Sequence, residues 1–513
     1  MHATRHVSRS PLTSALTRRT LLKATGTAAG AIATATTVGI TTAAPATAAG
    51  GYAHPGLLHT RADLARMAAK VKSGAVPYAA GYAKLTANRH AQSGWTANPQ
   101  ATVYRGSGTP QNYATLYNDV HAAYQNALRY HVGGDSAHAD TAVAILNSWS
   151  ARLTSVQGSA DRFLAAGLYG YQFANAAELV RDHGDFELGR FQEMLSKVFA
   201  PLSDSFLVEH NGAVVTNYWT NWDLTAVACV LATGIFCDDR DQVARAVDYF
   251  KHGAGLGSVR NAIPVLHDDG LGEWLEAGRD QGHALLGVGL MGTVCEMAWN
   301  QGVDLYGYDD SRFLKGAQYV AKWSMGGQVP YTPNTRRKGA VAGWSGSETA
   351  SAAAGVDPAM TRPIWAMIAN HYTKRRGLSA TYLTQIAAKS APEGGGGDYG
   401  PNSGGYDQLG FGTVAFTRDK ATTSASPAPI GTPTSTPAQT PTATASGAGA
   451  GTDSGPRPQS AAIPSASPNA TGDLATTGSG DVIGWAAAAG LTTVAGGLLL
   501  MRRRDRVRRG ASE

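Results

Sequence analysis

Between about Pro55 and Ala388 apolar side chains recur every three or four positions, the spacing that gives an α-helix one buried face. Leu116, Val120, Tyr124 and Leu128 make one stripe; Ala142, Ile145, Leu146, Trp149 and Leu153 make the next. The same period predicts helices near 162–182, 187–208, 221–236, 240–252, 280–299, 311–324 and 361–374. Turns rich in Gly and Asp, such as Gly133-Gly134-Asp135 and Asp182-His183-Gly184-Asp185, separate them. Strand-like alternation is confined to Leu409–Thr417, after the glycine run Gly394–Gly397. The pattern predicts an all-α chain whose antiparallel helix pairs close into an incomplete α/α toroid with little β structure. A solenoid of helix pairs would have the same period.

The flanks read differently. Residues 1–48 contain Thr17-Arg18-Arg19-Thr20-Leu21-Leu22-Lys23, an uncharged stretch of small and apolar residues, and Ala46-Thr47-Ala48. That order resembles a twin-arginine export signal with a small-residue cleavage site, so the twin-arginine translocase is the expected partner. A chance Arg pair ahead of an ordinary secretory signal would also take the chain out of the cytoplasm. Residues 421–473 are mostly Ser, Thr, Pro, Ala and Gly, which cannot offset their ordering entropy by burial and predict an extended stalk.

In the last segment, 474–513, Leu474-Ala475-Thr476-Thr477-Gly478 precedes an apolar run, 482–501, and Arg502-Arg503-Arg504. At 1.5 Å per residue the run spans about 30 Å, the thickness of a bilayer core, and the arginines hold its end inside. The order resembles a sortase sorting signal. Cleavage after Thr477 and attachment to peptidoglycan would display residues 49–420, the expected toroid domain, on a Gram-positive surface. A plain single-span anchor would also leave that domain outside.

This arrangement changes the meaning of the charge. A formal +6 over 513 residues would suggest nucleic acid. Residues 1–48 hold five basic residues and no acid, and residues 479–513 hold six arginines against three acids, which leaves −2 for 49–478. A nucleic-acid partner loses its support. With 43% hydrophobic and 16% charged residues, wholesale disorder is excluded. The three cysteines are too few for a disulfide framework; Cys229 and Cys237 could pair outside the cell, leaving Cys295 in the apolar core. No Cys/His spacing matches a zinc site, so no metal is expected.

Three segments put polar and aromatic residues where a core helix should be apolar. In Asn217-Tyr218-Trp219-Thr220-Asn221-Trp222-Asp223, Asn217 and Asn221 share a face if the helix begins early. Their carboxamides can donate to a carboxylate, and Trp219 and Trp222 offer flat faces to sugar rings; helix cap and core packing explain the same residues equally well. In Glu273-Trp274-Leu275-Glu276-Ala277-Gly278-Arg279-Asp280-Gln281-Gly282-His283, a helix would place Glu276, Asp280 and His283 at i, i+4 and i+7, with Arg279 four before His283. An Arg, two acids and Gln281 crowding one His favours a functional site over a structural one. In Trp299-Asn300-Gln301-Gly302-Val303-Asp304-Leu305-Tyr306-Gly307-Tyr308, a tyrosine on a Gly-flanked loop can reach a cleft, though most such tyrosines only pack.

The stretches Glu276–His283, Trp299–Tyr306 and Pro392-Glu393-Gly394 through Tyr406-Asp407-Gln408-Leu409-Gly410 resemble, in this order, the alginate lyase superfamily of polysaccharide lyases, over about residues 53–418. The resemblance implies an α/α toroid that cleaves an acidic polysaccharide, alginate or glucuronan, by β-elimination. A base removes the C5 proton, the C4–oxygen bond breaks, and a 4,5-unsaturated uronate end remains. Asn221 would neutralise the uronate carboxylate with Arg279 or His283 assisting, and Tyr306 would protonate the leaving oxygen.

Alternatives stay open at this point. Asn217 competes with Asn221, and Tyr308 and Tyr406 compete with Tyr306. Trp219, Trp222, Glu276 and Gln281 are further candidates for substrate contact. On mannuronate or glucuronate one tyrosine could act as base and then acid, given an Arg to stabilise its phenolate. On guluronate His283 would be the base and Tyr306 the acid. No cofactor is required. An inverting hydrolase using two of Asp268, Asp269, Glu273 and Glu276 is the rival enzyme, and a wall-anchored adhesin that binds polysaccharide without cutting it is the rival of another class.

Overall fold

A computed structural model describes residues 51–107, 109–339, 345–422 and 426, all in the unit that begins at Thr47. The expected export signal over 1–48, the sorting signal with its apolar run over 482–501, and nearly all of the stalk lie outside these residues. Among the described residues no helix is long and apolar enough to cross a membrane.

Local chemistry marks the ends of the elements. Thr60 and Asp63 form a reciprocal capping box at the start of α1 (Arg61–Lys72). Helix α2 (Tyr78–Ala87) and strand β1 (Thr102–Arg105) follow. The first long helix hairpin, α3 (Tyr113–Gly133) and α4 (Ser136–Arg152), turns at Gly134, whose φ of 83° suits glycine, and at Asp135, whose side chain caps α4. Strand β2 (Ser155–Gly158) pairs in parallel with β1, Thr102 opposite Ser155. Next come α5 (Asp161–Glu178), then α6 (Leu188–Met194), which runs through a π turn into α7 (Ala200–Glu209). The pair α8 (Thr220–Phe236) and α9 (Arg240–His252) precedes the short α10 (Val259–Ala262) and the antiparallel strands β3 (Val265–Leu266) and β4 (Gly272–Glu273). After α11 (Gln281–Asn300) and α12 (Tyr308–Ser324), strands β5 (Asn334–Gly339) and β6 (Ser345–Ala350) make an antiparallel pair. Helices α13 (Trp365–Asn370), α14 (Thr381–Ser390) and α15 (Gly412–Ala415) complete the fold.

Successive helix pairs build an incomplete all-α toroid. Helices α3, α5, α8, α11 and α13 are the inner members, each packed on the next. Helix α8 is buried at every residue, and α5 and α11 nearly so, whereas outer α9 buries only Val243, Ala246 and Phe250. Close approach of the inner helices needs small residues. A Cβ at Gly167 of α5 would lie 2.7 Å from the Thr225 side chain of α8, and one at Gly170 would lie 2.5 Å from Cys229 Sγ. These contacts join positions at equal depth, so α5 and α8 run parallel with their N-termini at one end. That alignment decides where the chemistry collects.

Charged residues tie the first helix to the end of the last. Arg66 donates to Ala415 O at 2.7 Å, and Arg418 pairs with buried Asp63 at 2.7 Å. Buried Glu296 of α11 pairs with Arg375 at 2.7 Å and lies 3.6 Å from Arg418.

Three expectations are corrected. The segment 409–417 is no strand: Gly410 forms one isolated bridge with Gly395, and the chain then turns into α15. Strands β5 and β6 escaped the periodicity because, Ala350 apart, they are built from Asn, Thr, Arg, Lys, Gly, Ser and Glu, so neither face carries an apolar stripe. Cys229 and Cys237 are free thiols, as is Cys295. Eight positions of helix rise separate the first two by about 12 Å, too far for a disulfide.

Candidate active site

The N-termini of α8 and α11 meet at one polar cluster. Helix α8 starts at Thr220, after an extended Trp219, and no side chain caps it. Asn221 therefore sits in the first turn, 2% exposed. Asn217 lies before the helix and does not share a face with Asn221; its Oδ1 accepts Gly339 N–H at 2.8 Å. Segment 273–283 is not one helix either. Glu273 ends β4, Leu275–Gly278 form a 3-10 turn, and Asp280 is extended at φ −167°. The expected convergence survives by another route, because Asp280 Oδ1 caps α11 by accepting His283 N–H at 2.8 Å.

Arg279 is the hub. Its Nη1 donates to Glu276 Oε1 at 3.2 Å and reaches Asn221 Oδ1 at 3.5 Å, and its Nη2 lies 3.1 Å from His283 Nε2. Its Nε is 3.5 Å from Asp280 Oδ2, which is 2.7 Å from His283 Nδ1. A guanidinium only donates and a carboxylate only accepts, so the network assigns the imidazole proton to Nδ1 and the lone pair to Nε2. Burial opposes ionisation of Asp280, but the hydrogen bond from the His283 ring, the His283 backbone N–H and the Arg279 charge outweigh it and hold the carboxyl at about 2. Glu276 is fully buried, and among the described residues its Oε2 has no hydrogen-bond partner. Burial pushes its carboxyl up, opposed first by the Arg279 charge.

Trp219 is half-buried beneath two guanidinium groups, Arg279 at 5.4 Å and Arg336 at 4.1 Å from its ring centroid. Arg336 belongs to β5. It donates to the carbonyls of Thr216 and Asn217 and pairs with Glu348 of β6. Thr216 Oγ1 bonds Arg337 O at 2.8 Å, and Val214 N–H bonds Gly339 O at 2.9 Å. This strand pair thus brings cations to the site that the sequence reading missed. The run Arg336-Arg337-Lys338 amid small polar residues was the available signal.

Other expected site residues lie elsewhere. Tyr306 is 0% exposed; its hydroxyl bonds Glu296 Oε2 at 3.1 Å and Gly292 O at 3.3 Å, and its ring stacks on His371 at 3.6 Å. It is a core residue, and burial drives its phenol well above the ordinary range. Tyr308 meets His252 Nε2 at 3.3 Å, with Lys251 over its ring. Trp222 packs in the core against Phe206 and Tyr218. Gln281 spends both ends of its amide on the Asp357 backbone, at 3.1 and 2.8 Å. Tyr406 is also buried, 3% exposed, but its hydroxyl lies 3.2 Å from Nη2 of the exposed Arg89. Its ring stacks on Tyr117 of α3 at 4.2 Å. Its segment reaches from α3 toward α11: Asp407 pairs with Arg362 at 2.9 Å, and a Cβ at Gly289 of α11 would meet the Gln408 side chain.

The four acids a hydrolase could use are held by other partners or lie exposed in a turn. Glu273 is buried, accepting from His267 at 3.1 Å and Thr332 N–H at 2.7 Å, Glu276 holds Arg279, and Asp268 and Asp269 are exposed in the turn between β3 and β4. Among the described residues no group of three His, Cys, Asp or Glu could hold a metal.

Comparison with known proteins bears on this cluster. A family model described as alginate lyase matches residues 70–329, about half the chain, which include Asn221, Glu276, Arg279, Asp280 and His283 but not Tyr406. Comparison with curated proteins finds no match. Among solved structures, an alginate lyase from Bacteroides ovatus is 14% identical, with a TM-score of 0.38 over 53% of this chain and 83% of that one. A variant of alginate lyase A1-III complexed with a tetrasaccharide is 12% identical, with a TM-score of 0.44 over 70% and 95%. Alginate lyase A1-III from Sphingomonas species A1 is 16% identical, with a TM-score of 0.37 over 50% and 76%. At TM-scores this low, the family match alone carries the assignment.

Proposed function

The chain belongs to the alginate lyase family of polysaccharide lyases, and from that membership we propose that it cleaves alginate, or a related uronate polymer, by β-elimination at the Asn221–Arg279–His283 cluster. The observation that carries this reading is the pairing of a neutral, Asp-oriented imidazole with an Arg and a carboxamide at two helix N-termini. An uronate carboxylate suppresses ionisation of its neighbouring C5–H while it is charged. Arg279, the Asn221 amide and the positive ends of α8 and α11 favour an anion there and offset the charge that develops on it.

His283 Nε2 takes the C5 proton, and the C–H electron pair becomes the C4–C5 double bond as the C4–oxygen bond breaks. The departing oxygen takes a proton from Tyr406, whose hydroxyl oxygen accepts from Arg89 at 3.2 Å. Water restores both groups. Separate base and acid suit guluronate, where the C5 hydrogen and leaving oxygen lie on opposite ring faces. Incubation with alginate and with glucuronan tests the reading: unsaturated ends absorbing in the ultraviolet support it, and saturated reducing ends without that absorbance reject it.

The flanking segments support a surface location. Export through the twin-arginine pathway and cleavage after Thr477 would tether the enzyme to peptidoglycan by its stalk. Detection of a wall-linked peptide ending at Thr477 tests that part.

A further inference from the structure

The lone pair that the proposed reaction needs is already in use. Arg279 Nη2 lies 3.1 Å from His283 Nε2, and a guanidinium has no acceptor, so the contact commits that nitrogen to Arg279. Arg279 is held from its other side as well, by Glu276, Asn221 and the face of Trp219, so it remains near the base whichever way its Nη2 points. Its exposure is low, 13% of the side chain, and that of His283 is 21%, so bulk water is a limited competitor.

We propose that Arg279 masks the base in the ligand-free enzyme and that the carboxylate of the substrate unmasks it, making Arg279 the residue that restricts turnover to anionic sugars. This rests on the lyase reading above. A carboxylate is a stronger acceptor for a guanidinium than a neutral imidazole, because both partners are then ionised. When a uronate ring enters, Nη2 turns to the carboxylate and Nε2 is released against C5–H of the same ring. No proton moves in this exchange: Arg279 stays charged, and His283 stays neutral with its proton on Nδ1. A neutral or methyl-esterified ring offers no anion, so the imidazole stays occupied. Binding and base activation are thereby coupled through one side chain.

The test is a chemical one on the full chain. Diethylpyrocarbonate acylates imidazole through a free lone pair, and modification of the His283 peptide can be timed by mass spectrometry. Acetate at saturation, a carboxylate with no ring to cover Nε2, should accelerate it about tenfold, the scale of one hydrogen bond to a charged group, while neutral acetamide leaves it unchanged. Arg279→Met should react at the faster rate without any carboxylate. Modification that acetate slows or leaves alone overturns the inference, as does equal acceleration by acetamide. The two readings fail separately. Unsaturated product with unaccelerated modification removes the mask alone; acceleration with no product from any uronate polymer removes the lyase and leaves the mask.

Discussion

Asp280 grips His283 twice: Oδ1 accepts the backbone N–H at 2.8 Å, and Oδ2 lies 2.7 Å from Nδ1. One carboxylate thus starts α11 and fixes the tautomer of the imidazole that α11 presents. The two tasks can be separated by substitution. Asn is as good an N-cap as Asp, whereas Ala is poor. Asp280→Ala loses the cap, about 1 kcal/mol, as well as the charge beside Arg279, and Asp280→Asn loses only the charge, so the Asn variant should be the more stable of the two. Both should lose turnover by up to about 10⁴-fold, the scale for replacing the carboxylate that orients a general-base histidine. Thermal melts beside kcat distinguish them; an Asn variant with full turnover would remove the orienting role.

Asn221 and Arg279 touch through the amide oxygen, which leaves the amide N–H groups to face an anion. Asn221→Asp keeps the shape and reverses that preference. We expect kcat/KM to fall by about 10²–10³, the scale for removing one donor to a developing oxyanion. A circular-dichroism spectrum unchanged from the parent would show that the loss is not unfolding.

Tyr306 and Tyr406 give opposite expectations. The Tyr306 hydroxyl serves buried Glu296, so Tyr306→Phe should lower stability by about 1–2 kcal/mol while kcat is retained. Tyr406→Phe removes the proposed proton donor and should abolish most turnover with little change in KM. The reverse pattern would return the chemistry to Tyr306.

Glu393 predicts a pH dependence of stability. It is fully buried, and burial raises its carboxyl from 4.5 to about 7, against two hydrogen bonds from Trp365 and Ala366 N–H. Its folded value lies above its unfolded value, so the unfolded chain ionises first as pH rises. This group therefore favours folding fully below about 4.5 and progressively less up to about 7. Glu393→Gln should flatten the melting temperature across that window, while the parent declines through it.

Much of this was legible in the sequence, for particular reasons. The stripe Leu116–Leu128 marks α3 because one face of that helix must be apolar, and 240–252 coincides with α9 because Asp239 caps it and the stripe is strong. Arg279 and His283 stood out because they crowd the start of an otherwise apolar helix. What failed depended on contacts distant in sequence. Gly-flanked Tyr306 looked accessible, but its partners Glu296 and His371 enclose it. Trp222 and Trp219 are three apart on paper, yet one faces Phe206 and the other Arg336. Arg336 was missed because β5 contributes a guanidinium rather than an apolar face.

The most direct test of the account compares the full-length parent with His283→Gln on guluronate-rich alginate, following the ultraviolet absorbance of unsaturated ends. The absorbance should rise steadily with the parent and, for a variant that binds the polymer and melts normally, at a rate lower by at least about 10², the scale of lost general-base catalysis. An equal rise in both would contradict His283 as the base, since some other group would then be taking the C5 proton.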